Sequence, residues 1–228
     1  VIAAYYRERF ETDSTVIPYG ASPHFRPAGA TLREFGLESG KFILYVSRLE
    51  PENNALGVIR GYVESGLRYP LVVVGDAPYA DRYKAQLRQA ANNRVIFTGF
   101  RFGEPYEELR SHCWCAVQAT EVGGTHPALV ESMAYGNCII ANDVPEHREV
   151  LGRTGLYYRM NDFSHLAELL RELANNEPLR IDLGEAAAAR ARSIYSWDAV
   201  TDAYESLLFD LAGDDLSESE PLQAVENL

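Results

Sequence analysis

Short apolar runs alternate with amphipathic stretches through the middle of the chain. The apolar runs predict six strands, at 42–47, 71–74, 95–98, 113–118, 138–141 and 155–158. Between them, apolar residues recur at helical spacing and predict helices near 31–35, 54–64, 79–91, 105–111, 127–135 and 146–151. Strands that are apolar throughout are typical of a parallel sheet covered on both faces. We therefore predict an α/β fold with a Rossmann-like, doubly wound parallel sheet.

The two ends of the chain break this alternation. A helix at 2–10, a short strand at 15–18 and a loop rich in glycine and proline come first. The last part is helical, with segments at 163–175, 178–193 and 196–211. The chain is accordingly divided into four parts: a leading helix and strand at 1–30, the nucleotide-binding-type domain at 31–195, a terminal helix at 196–212 and an acidic, flexible tail at 213–228.

The stretch 121–136 combines features of a ligand-binding loop with the start of a helix. Gly123 and Gly124 precede Thr125, which is suited to cap a helix, as is the residue after it. The start of a helix favours phosphate or sugar oxygens because its first N–H groups are unpaired. Glu121 lies before the glycines and Glu131 after them. This combination predicts a pocket for a ligand with phosphates and hydroxyls, although each acid alone fits a solvated surface position.

Polar and aromatic residues follow the ends of several predicted strands, where ligands bind in such sheets. Arg48 is suited to grip a diphosphate, or else to pair with nearby surface acids. Asn53 could bind a ligand oxygen, but capping the next helix suits it better. Phe100 and Arg101 follow a strand and a glycine, where an aromatic ring could flank a nucleobase; an ordinary packing role is equally consistent. Asp76 fits a turn as well as a ligand contact.

Composition limits the classes of partner. The formal net charge of −12 argues against nucleic acid, whose binding depends on lysine and arginine. The three cysteines, Cys113, Cys115 and Cys138, fall in predicted strands and are interpreted as reduced core residues of a cytosolic protein. They do not form a metal-ligand set with nearby histidines, so no metal and no cofactor are predicted.

Five short motifs, taken in order, resemble a known family. They are Val16-Ile-Pro-Tyr-Gly20, Leu44-Tyr-Val-Ser-Arg-Leu49, Val73-Val-Gly-Asp76, Val95-Ile-Phe-Thr-Gly99, and Glu121 followed by Glu131-Ser-Met-Ala134. This order resembles the donor-binding half of GT-B glycosyltransferases of family 4. The resemblance implies a retaining transferase that binds a nucleotide-diphosphate sugar and passes it to a saccharide or lipid-linked acceptor in bacterial polysaccharide synthesis. It also implies that the acceptor half of the cleft belongs to an N-terminal domain.

The resemblance implies roles for individual residues. Arg48 would neutralise the diphosphate and act with Glu121 in catalysis, and Glu131 would bind the ribose. Phe100 and Arg101 would lie beside a base whose identity is not indicated. The backbone of Gly123, Gly124 and Thr125, with Glu121, would hold the transferred sugar. A cytoplasmic location follows, with the inner face of the membrane as an alternative.

Two departures from the family pattern narrow these expectations. Asn53 occupies the position of a usual lysine, which removes one cation from the diphosphate site. The family's two glutamates are normally separated by seven residues, whereas nine lie between Glu121 and Glu131, and Gly123 takes the usual place of the first. Both departures are similar to a branch that includes rhamnosyltransferases. Two alternatives stay open: a GT-B sugar-nucleotide epimerase, and a non-catalytic nucleotide-sugar-binding module.

Overall fold

The sheet has six strands, all parallel. The structure, a computed structural model, describes residues 2–121 and 123–216, with side chains as far as residue 213. The strands are β1 (Ile43–Val46), β2 (Leu71–Val74), β3 (Val95–Gly99), β4 (Cys115–Gln118), β5 (Ile139–Asn142) and β6 (Leu156–Tyr158). Their order across the sheet is β3-β2-β1-β4-β5-β6. The predicted doubly wound parallel sheet is confirmed.

Helices connect and flank the strands. Their bounds are α1 (Ile2–Phe10), α2 (Ala30–Phe35), α3 (Ala55–Ser65), α4 (Asp81–Ala90), α5 (Glu104–His112), α6 (Pro127–Ala134), α7 (Pro145–Leu151), α8 (Phe163–Ala174), α9 (Glu177–Ile194) and α10 (Trp197–Leu216). A single turn of 3-10 helix, Pro51–Asn53, precedes α3. Each predicted helix of the central region is present, with ends that shift by one or two residues.

Alternating side chains of each strand pack against helices on opposite faces. On one face, Ile43 and Tyr45 of β1 pack with residues of α3, α4 and α8. On the other face, Leu44 packs with α2 and α5, and Ala116 packs with α6, α7 and α9. The four residues of β2 are all buried, as expected for a central parallel strand. The core is therefore two layers of apolar contact, with the sheet between them.

Close packing between α3 and α8 depends on a glycine. A Cβ atom built at Gly61 would lie 2.6 Å from the backbone oxygen of Phe163. Because that neighbour is backbone, it could not rotate away from a larger residue. Gly61 thus lets the two helices approach within backbone contact, and their shared face covers one side of the sheet.

The N-terminal part differs from the prediction in one element. Helix α1 forms at the predicted residues, but none of its side chains is buried. The strand predicted at 15–18 is wrong, since these residues are irregular and Val16 is 61% exposed. An apolar run forms a strand only where a neighbouring edge supplies hydrogen bonds, and no described strand pairs with this segment.

The C-terminal helix is longer than predicted. Ser196 caps α10 as its sequence position indicated, because its hydroxyl accepts a hydrogen bond from the Ala199 amide at 3.2 Å. The helix continues to Leu216, beyond the predicted end at 212. Residues 217–228 of the predicted acidic tail lie outside the described residues. The four-part division of the chain stays a prediction.

The positions of the three cysteines agree in part with the prediction. Cys115 and Cys138 are buried core residues, whereas Cys113 is half-buried and precedes β4, which begins two residues later than predicted. All three are free thiols, and burial raises the pKa of Cys113 to about 12.

Over the part of the chain that is described, none of the helices has the length and apolar character needed to span a bilayer.

Candidate functional site

A cleft of about 590 Å³ lies at the carboxyl ends of the strands. It occupies the point where the strand order reverses between β1 and β4, which is where parallel α/β sheets bind ligands. Its wall consists of residues that follow β1, β2, β3 and β4, together with parts of α5 and α6. A hollow of similar volume between α3 and α4 contains no strand-end residues. The cleft at the strand ends is therefore the candidate site.

The two arginines predicted for the site both line the cleft, and they differ in how firmly they are held. Arg48 is 73% exposed, and its guanidinium lies 3.6 Å from a carboxylate oxygen of Glu50. Arg101 is fixed by a 2.7 Å ion pair with Glu34 and stacks over the ring of Phe35. A single loose ion pair leaves Arg48 free to reorient toward an anion, whereas Arg101 is already engaged.

Two aromatic rings line the cleft just after the end of β3. Phe100 and Phe102 are stacked, with ring centroids 5.9 Å apart and planes inclined by 19°. Both rings are exposed and both line the cleft. Exposed aromatic faces at a cleft provide stacking surface for another planar ring. The prediction for Phe100 as a neighbour of a base stays a prediction, with Phe102 as a second ring beside it.

Glu131 lies on α6, where it faces the cleft and contacts two residues of α5. The phenolic hydroxyl of Tyr106 donates a short hydrogen bond to Oε2 of Glu131. Nη2 of Arg110 lies 3.3 Å from the same oxygen. Both partners were missed in the sequence. Their spacing of four residues on a predicted helix was the available signal, since such residues share one helical face.

Asn53 does not cap the following helix, so that prediction is wrong. It ends the 3-10 turn, where its side-chain amide donates to the backbone oxygen of Arg48 at 2.9 Å. The residue that caps α3 is Asn54, in a left-handed conformation and without a side-chain capping bond. Asn53 is buried and lines the cleft, so it shapes the loop that presents Arg48.

The loop after β4 contributes Thr120 and His126 to the cleft wall, whereas Glu121, Gly123, Gly124 and Thr125 of the same loop do not line the cleft. The side-chain amide of Asn54 donates to Oε1 of Glu121 at 2.9 Å, and the Glu121 amide donates to the backbone of the 3-10 turn at 3.2 Å. Gly123 packs against the ring of His126. Gly124 and Thr125 line a different, small hollow of about 70 Å³ beside α1 and α7. Of the predicted site residues, the structure brings Arg48, Asn53, Phe100, Arg101 and Glu131 together.

Two histidine rings lie against each other at the start of α6, with their planes inclined by 58°. The rings of His126 and His147 have centroids 5.0 Å apart. Nδ1 of His147 lies 2.8 Å from the backbone oxygen of Asn142 and, because a carbonyl only accepts, must carry the proton. Burial lowers the pKa of both rings, and that of His147 falls to about 4. Both are therefore neutral at pH 7, and His126 forms part of the cleft wall.

Asp76 follows β2 and is committed to local structure. Its carboxylate accepts a hydrogen bond from the Ala77 amide at 2.7 Å and pairs with Lys84 at 3.2 Å. The hydrogen bond from the Ala77 amide, and after it the contacts with Lys84, lower the pKa of the Asp76 carboxyl, although partial desolvation acts to raise it. Across residues 2–121 and 123–216, no group of three or more histidine, cysteine or acidic side chains is arranged to hold a metal ion.

Comparison with known proteins identifies the family. Residues 32–190 match the family described as "Glycosyl transferases group 1". The chain belongs to this family, and its sheet is that of a GT-B glycosyltransferase domain. The assignment to family 4 and to a rhamnosyltransferase-like branch is not tested by this match.

Individual relatives agree with the family assignment. A Campylobacter jejuni N-acetylgalactosamine-N,N'-diacetylbacillosaminyl-diphospho-undecaprenol 4-alpha-N-acetylgalactosaminyltransferase is 26% identical over 172 residues, which cover 74% of this chain and 47% of the relative. The Thermosynechococcus elongatus sucrose-phosphate synthase superposes with a TM-score of 0.78 at 19% identity, over 92% of this chain and 56% of that one. Anabaena Alr3699/HepE, solved with UDP and glucose, superposes with a TM-score of 0.71 at 18% identity, over 80% of this chain and 51% of that one. The chain spans about half the length of the curated relatives it matches.

Proposed function

We propose that this chain is the donor-binding half of a retaining glycosyltransferase that uses a nucleotide-diphosphate sugar. The observation that carries the proposal is the meeting of Arg48 and Glu131 on one cleft at the switch point of the sheet. A cation and an acid in one pocket match a ligand that carries both a diphosphate and hydroxyl groups.

Each part of the donor has a counterpart in or beside the cleft. Glu131 accepts from a ribose hydroxyl, and the exposed rings of Phe100 and Phe102 flank the base. Arg48 and the first backbone N–H groups of α6 face the diphosphate, where they stabilise the charge that builds up on the leaving group. The transferred sugar then extends toward Glu121 and the loop after β4.

The names of similar proteins support the choice of donor and acceptor class. The Anabaena protein was solved with UDP and glucose, and also with UDP-glucose. The Campylobacter relative is named for transfer onto a diphospho-undecaprenol-linked saccharide, and an Escherichia coli relative is named an O-antigen chain mannosyltransferase. We propose that the donor is likewise a nucleotide-diphosphate sugar and that the acceptor is a saccharide or a lipid-linked saccharide. The transfer would then be a step of polysaccharide synthesis.

Calorimetric titration with UDP, GDP and dTDP tests the proposal. We expect one nucleoside diphosphate to bind with 1:1 stoichiometry, and the matching nucleotide sugar to bind at the same site in competition with it. Failure of all three to bind would overturn the proposal. A sugar-nucleotide epimerase would instead interconvert the sugar of the donor in the absence of an acceptor, which nuclear magnetic resonance of the donor detects.

Transfer activity provides the second part of the test. We expect little transfer from this chain alone, because the proposed acceptor side of the cleft lies on an N-terminal domain. Adding the N-terminal half of a family member, or testing the chain fused to it, should give transfer with retained anomeric configuration. Donor binding without transfer in any of these settings would instead indicate a non-catalytic binding module.

A further inference from the structure

Helix α5 carries a buried cation directly behind the acid of the cleft. Arg110 is 1% exposed, and its guanidinium contacts three side chains: Tyr106, Glu131 and Ser132. Nε donates to the Tyr106 hydroxyl at 2.9 Å, and Nη2 lies 3.3 Å from Oε2 of Glu131. The guanidinium also lies over the Tyr106 ring, 4.9 Å from its centroid. These contacts tie α5 to α6 at the cleft wall.

The direction of these hydrogen bonds is fixed by their chemistry. A guanidinium has no acceptor, so the Tyr106 oxygen must accept from Arg110. The single hydroxyl proton of Tyr106 is then left for Oε2 of Glu131, which is within short hydrogen-bond contact. Burial raises the pKa of the Tyr106 phenol, so it retains this proton at neutral pH. The order of donation is therefore Arg110 to Tyr106 to Glu131.

This arrangement leaves the two oxygens of Glu131 unequal. Oε2 accepts from Tyr106 and lies beside the Arg110 charge, whereas Oε1 makes no hydrogen bond to any described residue. The side chain of Glu131 is 31% exposed and lines the cleft. A buried guanidinium is costly without an anionic partner, so the contact with Arg110 favours this one orientation of the Glu131 carboxylate.

We propose that Tyr106, supported by Arg110, is a positioning residue that orients Glu131 so that Oε1 receives a ribose hydroxyl of the donor. The inference rests on the proposed function, because it needs a nucleotide in this cleft. A purely structural tie between α5 and α6 is the competing explanation. The two differ in which part of the ligand loses binding energy when the phenolic hydroxyl is removed.

The test compares Tyr106→Phe with the wild-type chain on two ligands. The ligands are the nucleoside diphosphate that wild type binds most tightly among UDP, GDP and dTDP, and its 2′,3′-dideoxy analogue. Loss of one hydrogen bond to a carboxylate should weaken binding of the hydroxyl-bearing nucleotide about ten-fold and binding of the dideoxy analogue less than about two-fold. Tyr157→Phe is the matched control, since its hydroxyl donates to Gly152 away from the cleft and is lost without effect on either ligand.

Glu131→Ala supplies the second arm of the experiment. In that background, Tyr106→Phe should change affinity for the nucleotide by less than about two-fold, because the group it orients is absent. Equal losses for both ligands, or an unchanged affinity in Tyr106→Phe, would overturn the positioning role while leaving nucleotide binding intact. A wild-type chain that binds none of the three nucleotides would remove the proposed function and this inference together.

Discussion

The side-chain amide of Asn54 donates a hydrogen bond to Oε1 of Glu121 over 2.9 Å, which joins the start of α3 to the loop after β4. The same amide lies 3.0 Å from the backbone oxygen of Ala119, at the end of β4. The position of Glu121 is therefore set by the loop after β1, which also carries Arg48. A substitution in the loop after β1 should therefore alter the position of the loop after β4, and the reverse.

Glu121→Ala should separate the sugar end of the donor from the nucleotide end. Because Glu121 lies outside the cleft wall, we expect its removal to change affinity for the preferred nucleoside diphosphate, whichever of UDP, GDP and dTDP that is, less than about two-fold. Affinity for the matching nucleotide sugar should fall about five-fold or more, as for one lost hydrogen bond to a charged group. Competition calorimetry measures both constants. Asn54→Ala should follow in the same direction. Equal losses for the nucleoside diphosphate and its nucleotide sugar would mean that Glu121 does not face the sugar.

Arg48→Ala should weaken diphosphate binding through loss of a charge-assisted contact. The side chain is exposed and forms a loose 3.6 Å ion pair with Glu50, so its removal should leave the unfolding temperature unchanged. We expect the preferred nucleoside diphosphate to bind about 10-fold more weakly, at the lower end for loss of a hydrogen bond to a charged group, and the corresponding nucleoside to bind as before. Arg60→Ala, on the exposed face of α3, is the control. An equal effect on the nucleoside would place Arg48 away from the diphosphate.

His147 predicts a loss of stability in mild acid. Its pKa is about 4 in the folded chain, mainly because it is buried, against 6.5 when exposed. The folded state therefore binds the proton less readily than the unfolded state, and stability is lost as pH falls from about 6.5 toward 4. The neighbouring His126 adds repulsion in the same direction, while Glu146 partly offsets it at His126.

The contribution of His147 over this pH range should be about 3 kcal/mol, at 1.36 kcal/mol per pKa unit. His147→Asn retains a donor for the backbone oxygen of Asn142 but cannot titrate, so its stability should depend less on pH over the same range. Urea unfolding at several pH values measures this slope. Tyr157→Phe is the control and should keep the wild-type slope, because the pKa of Tyr157 is raised to about 12 and its phenol does not titrate in this range. An unchanged slope in His147→Asn would contradict the assignment.

Glu108 caps helix α2 from a distance in sequence. Its carboxylate accepts hydrogen bonds from the amides of Gly29, Thr31 and Leu32, at 2.6, 3.1 and 3.0 Å. Burial alone would raise the pKa of Glu108, but these three amides outweigh it and the pKa is lowered. Glu108→Ala should leave three donors unpaired, of which the Thr31 and Leu32 amides are buried and the Gly29 amide is partly buried.

The expected loss for Glu108→Ala is about 2–4 kcal/mol in the free energy of unfolding, since unsatisfied buried donors cost about 1–3 kcal/mol each and some regain water. Guanidinium unfolding gives the value directly. Glu104→Ala, on the same helix but exposed and paired only with Arg26, should cost less than about 1 kcal/mol. Similar losses for the two variants would show that the three amides find other partners.

The fold could be predicted from the sequence because its signals are local and repeated. Apolar runs such as Leu71–Val74 are buried on both faces and were placed within a residue or two. The run at 15–18 looks similar but forms no strand, because pairing depends on a neighbour that periodicity does not reveal. Short stretches of sequence indicate whether a segment is a helix or a strand, whereas the pairing of strands depends on the whole sheet.

The site could be predicted only as far as topology determines it. Strand ends meet at one edge of a parallel sheet, so Arg48, Phe100 and Arg101 converge as expected, whereas Glu121, predicted with them, does not line the cleft. Arg110 was missed because a buried arginine is recognised by its partners, which lie on another helix. Thr125 and the preceding glycine face a different hollow, because loop direction depends on packing against α1 and α7 that residue type does not specify.

The central claim is that this cleft binds a nucleoside diphosphate through Glu131. The most direct test is the dissociation constant of Glu131→Ala for the nucleoside diphosphate that wild type binds most tightly among UDP, GDP and dTDP, measured by calorimetry beside Glu64→Ala, an exposed acid of α3. The account predicts binding weakened about 10- to 100-fold in Glu131→Ala, as for loss of hydrogen bonds to a charged group, and unchanged in Glu64→Ala. Wild-type affinity in a folded Glu131→Ala chain would contradict it.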